Sequence, residues 1–306
     1  MIKSLVKDDC FKFLSKEFNS LSHAYLMYSE DSLLNNEIAM LFAMGIFCQQ
    51  DKPCFECEAC KKSELNKNPD LMILDKPSIM VEDVAKIIDA IQLKPMIYSK
   101  KVIVIKNAEN INEISQNKLL KSLEEPNDTV VFILTTTNLD KLLPTVRSRL
   151  KKIYLSISNF ENLKNELKEH GAKEELLKPS FSLTEIVNFS KNDEFKLYLE
   201  QVKNLLYDLK STQDIPDVMS KLNLNSQNKF IYLDLMDKLY DSLNNEDIFG
   251  KETTDFLQKN YSKKLISKIK ILLEEAFKQL KANVNVNYVF DNLFYKILKE
   301  KYLCKQ

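Results

Sequence analysis

Two short, unbroken apolar runs, Val102–Ile105 and Val130–Leu134, bracket a helix-like stretch and restrict what this chain can fold into. Both runs are mostly β-branched and carry no polar alternation. Such strands are covered on both faces, as in a parallel sheet packed between helices. The stretch between them presents Leu119, Leu120 and Leu123 and ends at Pro126, which cannot continue a helix. The second run leads into Thr135-Thr136-Thr137-Asn138, a polar cluster at the carboxyl edge of the sheet. In open α/β folds nucleotides bind at that edge.

The same alternation extends toward the N-terminus. Ala24–Tyr28 reads as a first strand and Asn36–Phe47 as a helix rich in Ala, Met and Leu. Asn68-Pro69-Asp70 introduces a strand at Leu71–Leu74. Val81–Leu93 carries Val84, Ile87, Ile88 and Ile91 on one helical face and stops before Pro95. Alternating strands and helices predict an α/β domain over residues 1–155. Past Tyr154 strand-like runs vanish and Lys, Glu, Leu and Asn recur at helical spacing. A small helical unit is expected over 156–193. Long amphipathic segments follow from 194 to 306, at Phe195–Leu209, Asn228–Asn244, Thr253–Gln258, Ser262–Leu280 and Val286–Tyr302. By pattern alone these also fit a self-contained bundle.

Four of the six cysteines fall together. Cys48, Cys54, Cys57 and Cys60 are spaced C-x5-C-x2-C-x2-C in one short polar segment. Thiolates two residues apart converge on one tetrahedral ion, and a fourth from the preceding helix end closes the shell. Four sulfurs without a neighbouring His point to structural zinc with no open position for catalysis. A ferredoxin-type cluster needs a further Cys followed by Pro after Cys60, where Lys61-Lys62-Ser63-Glu64 stands. Two histidines, His23 and His170, leave almost no base for Ser–His or Cys–His chemistry. Lys100, Lys101, Lys106, Lys118 and Lys121 offer a basic face, but interleaved Glu109, Glu113, Glu124 and Glu125 make a solvated mixed surface the better reading.

At 306 residues and 44% apolar content the chain can bury the cores of two or three domains. Its formal net charge of zero exerts no global pull toward nucleic acid or membrane. No apolar run approaches the roughly 20 residues of a membrane span. The polar start, Met1-Ile2-Lys3-Ser4-Leu5-Val6-Lys7-Asp8-Asp9, does not read as a signal peptide, so a cytoplasmic location is expected.

The stretch Lys101–Arg149 resembles the clamp-loader branch of the AAA+ ATPases. Asn117, Leu119, Leu120, Lys121, Leu123, Glu124, Glu125 and Pro126 match that family's helix almost letter for letter. Thr135–Asn138 sits where the family has its first sensor. Ser148-Arg149 matches the start of its Ser-Arg-Cys motif, with Leu150 in place of the Cys. The resemblance implies an AAA+-type α/β domain, a helical lid and an all-α collar. It also supports the zinc reading, because clamp-loader subunits of bacteria carry a four-Cys module after the first helix. The first spacer, five residues, is shorter here than is usual in the family.

The family's nucleotide machinery is missing from this chain. A phosphate loop needs glycines whose N–H groups close round phosphate and a Lys reaching the outer phosphates. The chain has three glycines, Gly45, Gly171 and Gly250, none at the first strand. There the sequence reads Ser29-Glu30-Asp31-Ser32-Leu33-Leu34-Asn35-Asn36, whose acids would repel phosphate. Lys106 and Asn107 stand where the family's Walker B acids hold Mg²⁺ and activate water. The pattern is similar to the delta-prime family of bacterial DNA polymerase III, subunits that keep the fold without the ATPase.

That resemblance implies a function. The chain would neither bind nor hydrolyse ATP, and Arg149, beside Ser148, would reach a neighbouring subunit's ATP site as an arginine finger. Its partners would be tau/gamma-type and delta-type subunits of the polymerase holoenzyme. The sliding clamp and primed DNA would be met through the assembled complex in the replisome. Rival readings are an active AAA+ ATPase with an unorthodox loop, marked by ATP binding of the lone chain, and a zinc-dependent DNA-binding protein, marked by salt-sensitive DNA affinity.

Overall fold

The buried apolar runs become the strands of one sheet in a computed structural model. It describes every residue except 51, 126, 179–180, 192–193, 226–227, 243–248 and 305–306. Pro126, expected to end the central helix, therefore lies outside the described residues, as do Asp193 and Asn244 at two expected boundaries. The strands are β1 (Ala24–Tyr28), β2 (Leu71–Leu74), β3 (Lys101–Ile105), β4 (Val130–Thr136) and β5 (Lys151–Tyr154). All pairs are parallel, in the order β2-β3-β4-β1-β5. β3 and β4 are buried along their whole length, as continuous apolar runs require.

Among the described residues the first eight α-helices are α1 (Asp9–Ser15), α2 (Ser32–Phe47), α3 (Glu58–Glu64), α4 (Val81–Gln92), α5 (Glu113–Glu124), α6 (Pro144–Arg147), α7 (Glu161–Glu169) and α8 (Leu183–Ser190). Leu119 and Leu123 of α5 pack into a core with Val84 and Ile87 of α4 and Phe132 and Leu134 of β4. Helix α2 is buried on nearly all sides. Gly45 lies in it because a Cβ there would meet the Phe18 ring at 2.3 Å. Phe18 itself stacks on Phe42.

The fifth strand, β5, is a correction to the strands read from the apolar runs, which did not include it. In β5 only Ile153 is buried, while Lys151, Lys152 and Tyr154 are exposed. With one buried residue among three exposed ones, β5 has no apolar run to mark it. A second correction concerns Arg149. The short helix that opens at Pro144, α6, ends at Arg147, so Arg149 follows the helix instead of riding on it. Lys101 corrects the solvated-face reading, because it is buried. Its ammonium donates to the carbonyls of Ala90 (2.7 Å) and Leu93 (2.9 Å) at the end of α4.

By compactness the chain divides into Met1–Ile186 and Val187–Gln306. The second unit is helical: α9 (Phe195–Asp208), α10 (Ile215–Leu222), α11 (Lys229–Asp241), α12 (Lys251–Asn260), α13 (Lys263–Lys281) and α14 (Val286–Leu303). Helix α13 packs along α14 and α11, and α9 along α11 and α10. Ile269, Leu273, Phe290, Phe294, Tyr232 and Leu235 are among its buried side chains. Asn285 caps α14 by accepting from the Tyr288 N–H at 3.2 Å. Among the described residues no helix is long and apolar enough to cross a membrane.

Candidate functional site

Because every strand runs the same way, the ends of β1, β3 and β4 open on one edge. The segment Ser29–Asn36 runs there from the end of β1 into the first turn of α2. Ser29 donates to Asn35 Oδ1 (2.6 Å) and accepts from the Asp31 N–H (3.1 Å). Asn35, fully buried, donates to the carbonyls of Ser29 (3.1 Å) and Thr136 (3.0 Å), tying the end of β1 to the end of β4. Four neutral side chains form a ring beside it. Ser32 donates to Asn107 Oδ1 (2.7 Å), and Asn36 Nδ2 reaches the same oxygen at 3.4 Å. Thr135 donates to Asn36 Oδ1 (2.6 Å) and accepts from the Asn107 N–H (2.9 Å). Asn107 holds a left-handed backbone, φ 51°, a conformation Asn tolerates better than most residues.

Lys106 is turned away from this ring and pairs with Asp75 beyond β2 at 3.0 Å. Glu109 accepts from both the N–H (3.3 Å) and the hydroxyl (2.7 Å) of Thr137. The amide oxygens and hydroxyls of the ring are engaged with one another. It contains no carboxylate to hold a divalent cation and no cation to meet a phosphate.

The start of α2 is where a phosphate would sit in a nucleotide-binding fold, since a helix N-terminus presents free N–H groups. Asp31 occupies it. Its Oδ1 accepts from the N–H groups of Leu33 (3.0 Å) and Leu34 (3.2 Å). The acid expected to repel phosphate thus caps the helix, a role visible in the Asp-Ser-Leu-Leu order as an N-cap signature.

Arg149 lies partly exposed after α6. Its guanidinium pairs with Glu124 at the end of α5 and donates to the Thr145 carbonyl (2.6 Å) and Ser148 Oγ (3.4 Å). Leu150, at the position of the family's Cys, is buried in the sheet core. Arg147 pairs with Asp140 at 3.3 Å. His170 ends α7, exposed, with Nδ1 2.8 Å from the Glu166 carbonyl.

The cysteines converge. The Sγ atoms of Cys48, Cys54, Cys57 and Cys60 all lie within 4.8 Å of one another. Four thiolates on a zinc ion at about 2.3 Å would stand roughly 3.8 Å apart, so the donor set fits a tetrahedral ion with little contraction. Cys48 joins from the end of α2 despite the short spacer, and Cys57 caps α3 by accepting from the Cys60 N–H (3.4 Å). The Cys57 N–H in turn donates to Cys54 Sγ at 3.3 Å. The N–H groups of Cys57 and then Glu56 hold the Cys54 thiol down to about 6, whereas burial pushes those of Cys48 and Cys60 up. Phe55 turns the loop with φ 62°.

The sequence reading missed the polar stitches around Asn35 and Asn36, since isolated asparagines carry no periodic signal. It also missed Asp70, whose buried carboxylate accepts from the N–H groups of Met96 (2.6 Å), Ile97 (2.7 Å) and Tyr98 (2.9 Å).

Comparison with known proteins agrees with this architecture. Residues 7–159 match the profile of the family described as DNA polymerase III, delta subunit. The chain is 28% identical over 303 residues to the DNA polymerase III subunit delta' of Bacillus subtilis, covering 91% of this chain and 92% of that protein. It is 39% identical over 141 residues to the tau/gamma subunit of Haemophilus influenzae, but spans only 20% of that longer protein. A gamma subunit-related protein of Thermotoga maritima superposes with a TM-score of 0.54 at 16% identity, covering 96% of this chain and 100% of the other, a likeness of fold. The match over the sheet domain and the near full-length delta-prime likeness converge: this chain belongs to the DNA polymerase III delta subunit family, and within it is delta-prime-like.

Proposed function

We propose that this chain is an ATPase-inactive subunit of a DNA polymerase III clamp loader, which completes a neighbour's ATP site instead of running its own. The observation that carries the reading is the neutral, hydrogen-bonded ring of Ser32, Asn36, Asn107 and Thr135 at the sheet edge. Lys106, aimed at Asp75, supplies neither a metal ligand nor a base. Residues 1–155 form the AAA+-like domain, 156–193 its lid and 194–306 a collar that joins tau/gamma-type and delta-type partners. The clamp and primed DNA are met through the assembly, in the cytoplasm. Arg149, with Ser148, serves the adjoining ATP site.

Zinc held by Cys48, Cys54, Cys57 and Cys60 supplies folding energy to the segment between α2 and α3 and leaves no open position for substrate. The direct test is calorimetric titration of the purified chain with Mg·ATP. No binding heat and no turnover are expected. Micromolar affinity that disappears on substitution within Ser29–Asn36 would overturn the reading.

A further inference from the structure

The carboxylate of Asp31 does more than cap α2. Its Oδ1 also accepts from the Thr184 N–H (3.2 Å) and hydroxyl (2.6 Å), and Oδ2 accepts from the Leu183 N–H (2.5 Å). Leu183 and Thr184 open α8, so these are N–H groups without an intrahelical partner. The Thr184 hydroxyl closes the junction by accepting from the Leu33 N–H at 2.9 Å. One buried carboxylate therefore holds the first turns of two helices about 150 residues apart in sequence. Each helix start carries partial positive charge, and bringing two together without an intervening anion is unfavourable. A nucleotide phosphate is the usual anion at the first of these positions.

We propose that Asp31 is a built-in anion that replaces the nucleotide phosphate as the bridge between α2 and α8. It fixes the start of α8 against the sheet domain whether or not nucleotide is present. This rests on the ATPase-inactive reading and deepens it: the loop departs from a phosphate loop by carrying its own anion. Asp31 is a positioning residue, and Thr184 is its second contact. The consequence is a chain whose lid start does not respond to ATP.

Hydrogen–deuterium exchange on the full chain tests the bridge. In Asp31→Ala, exchange at Ser32–Asn36 and at Ser182–Ile186 should rise together by about tenfold or more, as expected for losing two helix caps. Asp31→Asn, which keeps the shape without the charge, should give a smaller rise at both segments. Thr184→Val, a milder change should Asp31→Ala fail to fold, should loosen Ser182–Ile186 and the first turn of α2 alike. Exchange rising only at Ser32–Asn36 would reduce Asp31 to an ordinary cap and overturn the proposal. So would unchanged exchange. Mg·ATP added to the native chain should alter neither segment. ATP binding by the native chain would instead count against the inactive-subunit reading, whereas silent ATP with an unlinked Asp31→Ala response sinks the bridge alone.

Discussion

Single polar residues hold loops of this chain that no strand or helix pairing reaches. Asp70 is the strongest case: it is fully buried, and three consecutive N–H groups from Met96 to Tyr98 converge on its two oxygens. Removing the carboxylate orphans three donors, and each buried donor left unsatisfied costs about 1–3 kcal/mol before water relieves it. Asp70→Ala should therefore destabilise the first unit by about 2–3 kcal/mol, read as a lower urea midpoint with an unchanged slope. A loss under about 1 kcal/mol would show that solvent replaces Asp70 readily. Asp70 was legible only as part of the Asn68-Pro69-Asp70 lead into β2. Its partners lie 26 to 28 residues away, and local sequence carries no record of such contacts. Asn35 was hidden for the same reason, being an unremarked amide inside a segment read only for what it lacked.

At the scale of elements, legibility followed burial. β1 and the body of β3 and β4 coincide with apolar runs because strands buried on both faces must be apolar throughout. β2, at one edge and only half-buried, keeps an apolar run all the same. β5 escaped because a strand with a single buried residue, Ile153, resembles a loop in sequence. Helix α10 escaped too: eight residues hold too few turns for a clear periodic stripe. The cysteine segment lies between these extremes, since spacing named the four ligands while the small helix α3 inside the segment was not anticipated. Among the described residues the apolar cluster around the sulfurs is small, with Met44, Met1 and Phe55 packed on it. So small a cluster cannot hold the segment by burial, and metal should carry its stability. Protein purified without chelator should contain one zinc per chain. Cys57→Ser should lose most of it, and thermal unfolding should then begin at lower temperature, as it should after chelator treatment of the native chain. Metal analysis that finds no zinc in the native chain, or a melting curve indifferent to chelator, would reject the zinc reading.

At the scale of the whole molecule, function turns on whether Arg149 is spent within this chain or offered to another. In the isolated chain its guanidinium pairs with Glu124, with the arginine side chain 33% and the glutamate 45% exposed. A partly exposed pair of this kind contributes about 0–1 kcal/mol, so it restrains the arginine without committing it. Under the proposed function a neighbour's γ-phosphate, carrying more charge than one carboxylate, has to outcompete Glu124 on assembly. Arg149→Ala should hence leave the melting temperature and the assembly nearly unchanged. DNA-stimulated ATP turnover at the adjoining site should nevertheless collapse, since an arginine finger is worth about 10³–10⁵ in rate. Arg149→Lys should not rescue, because lysine lacks the planar fork that meets two phosphate oxygens. Glu124→Gln provides the opposite perturbation: it frees the guanidinium and should sustain turnover. The measurement is single-turnover hydrolysis in a reconstituted complex where only the adjoining site is competent. Native turnover with Arg149→Ala in place would show that the Glu124 pair is all this arginine does, and the ring would have to find its transition-state charge elsewhere.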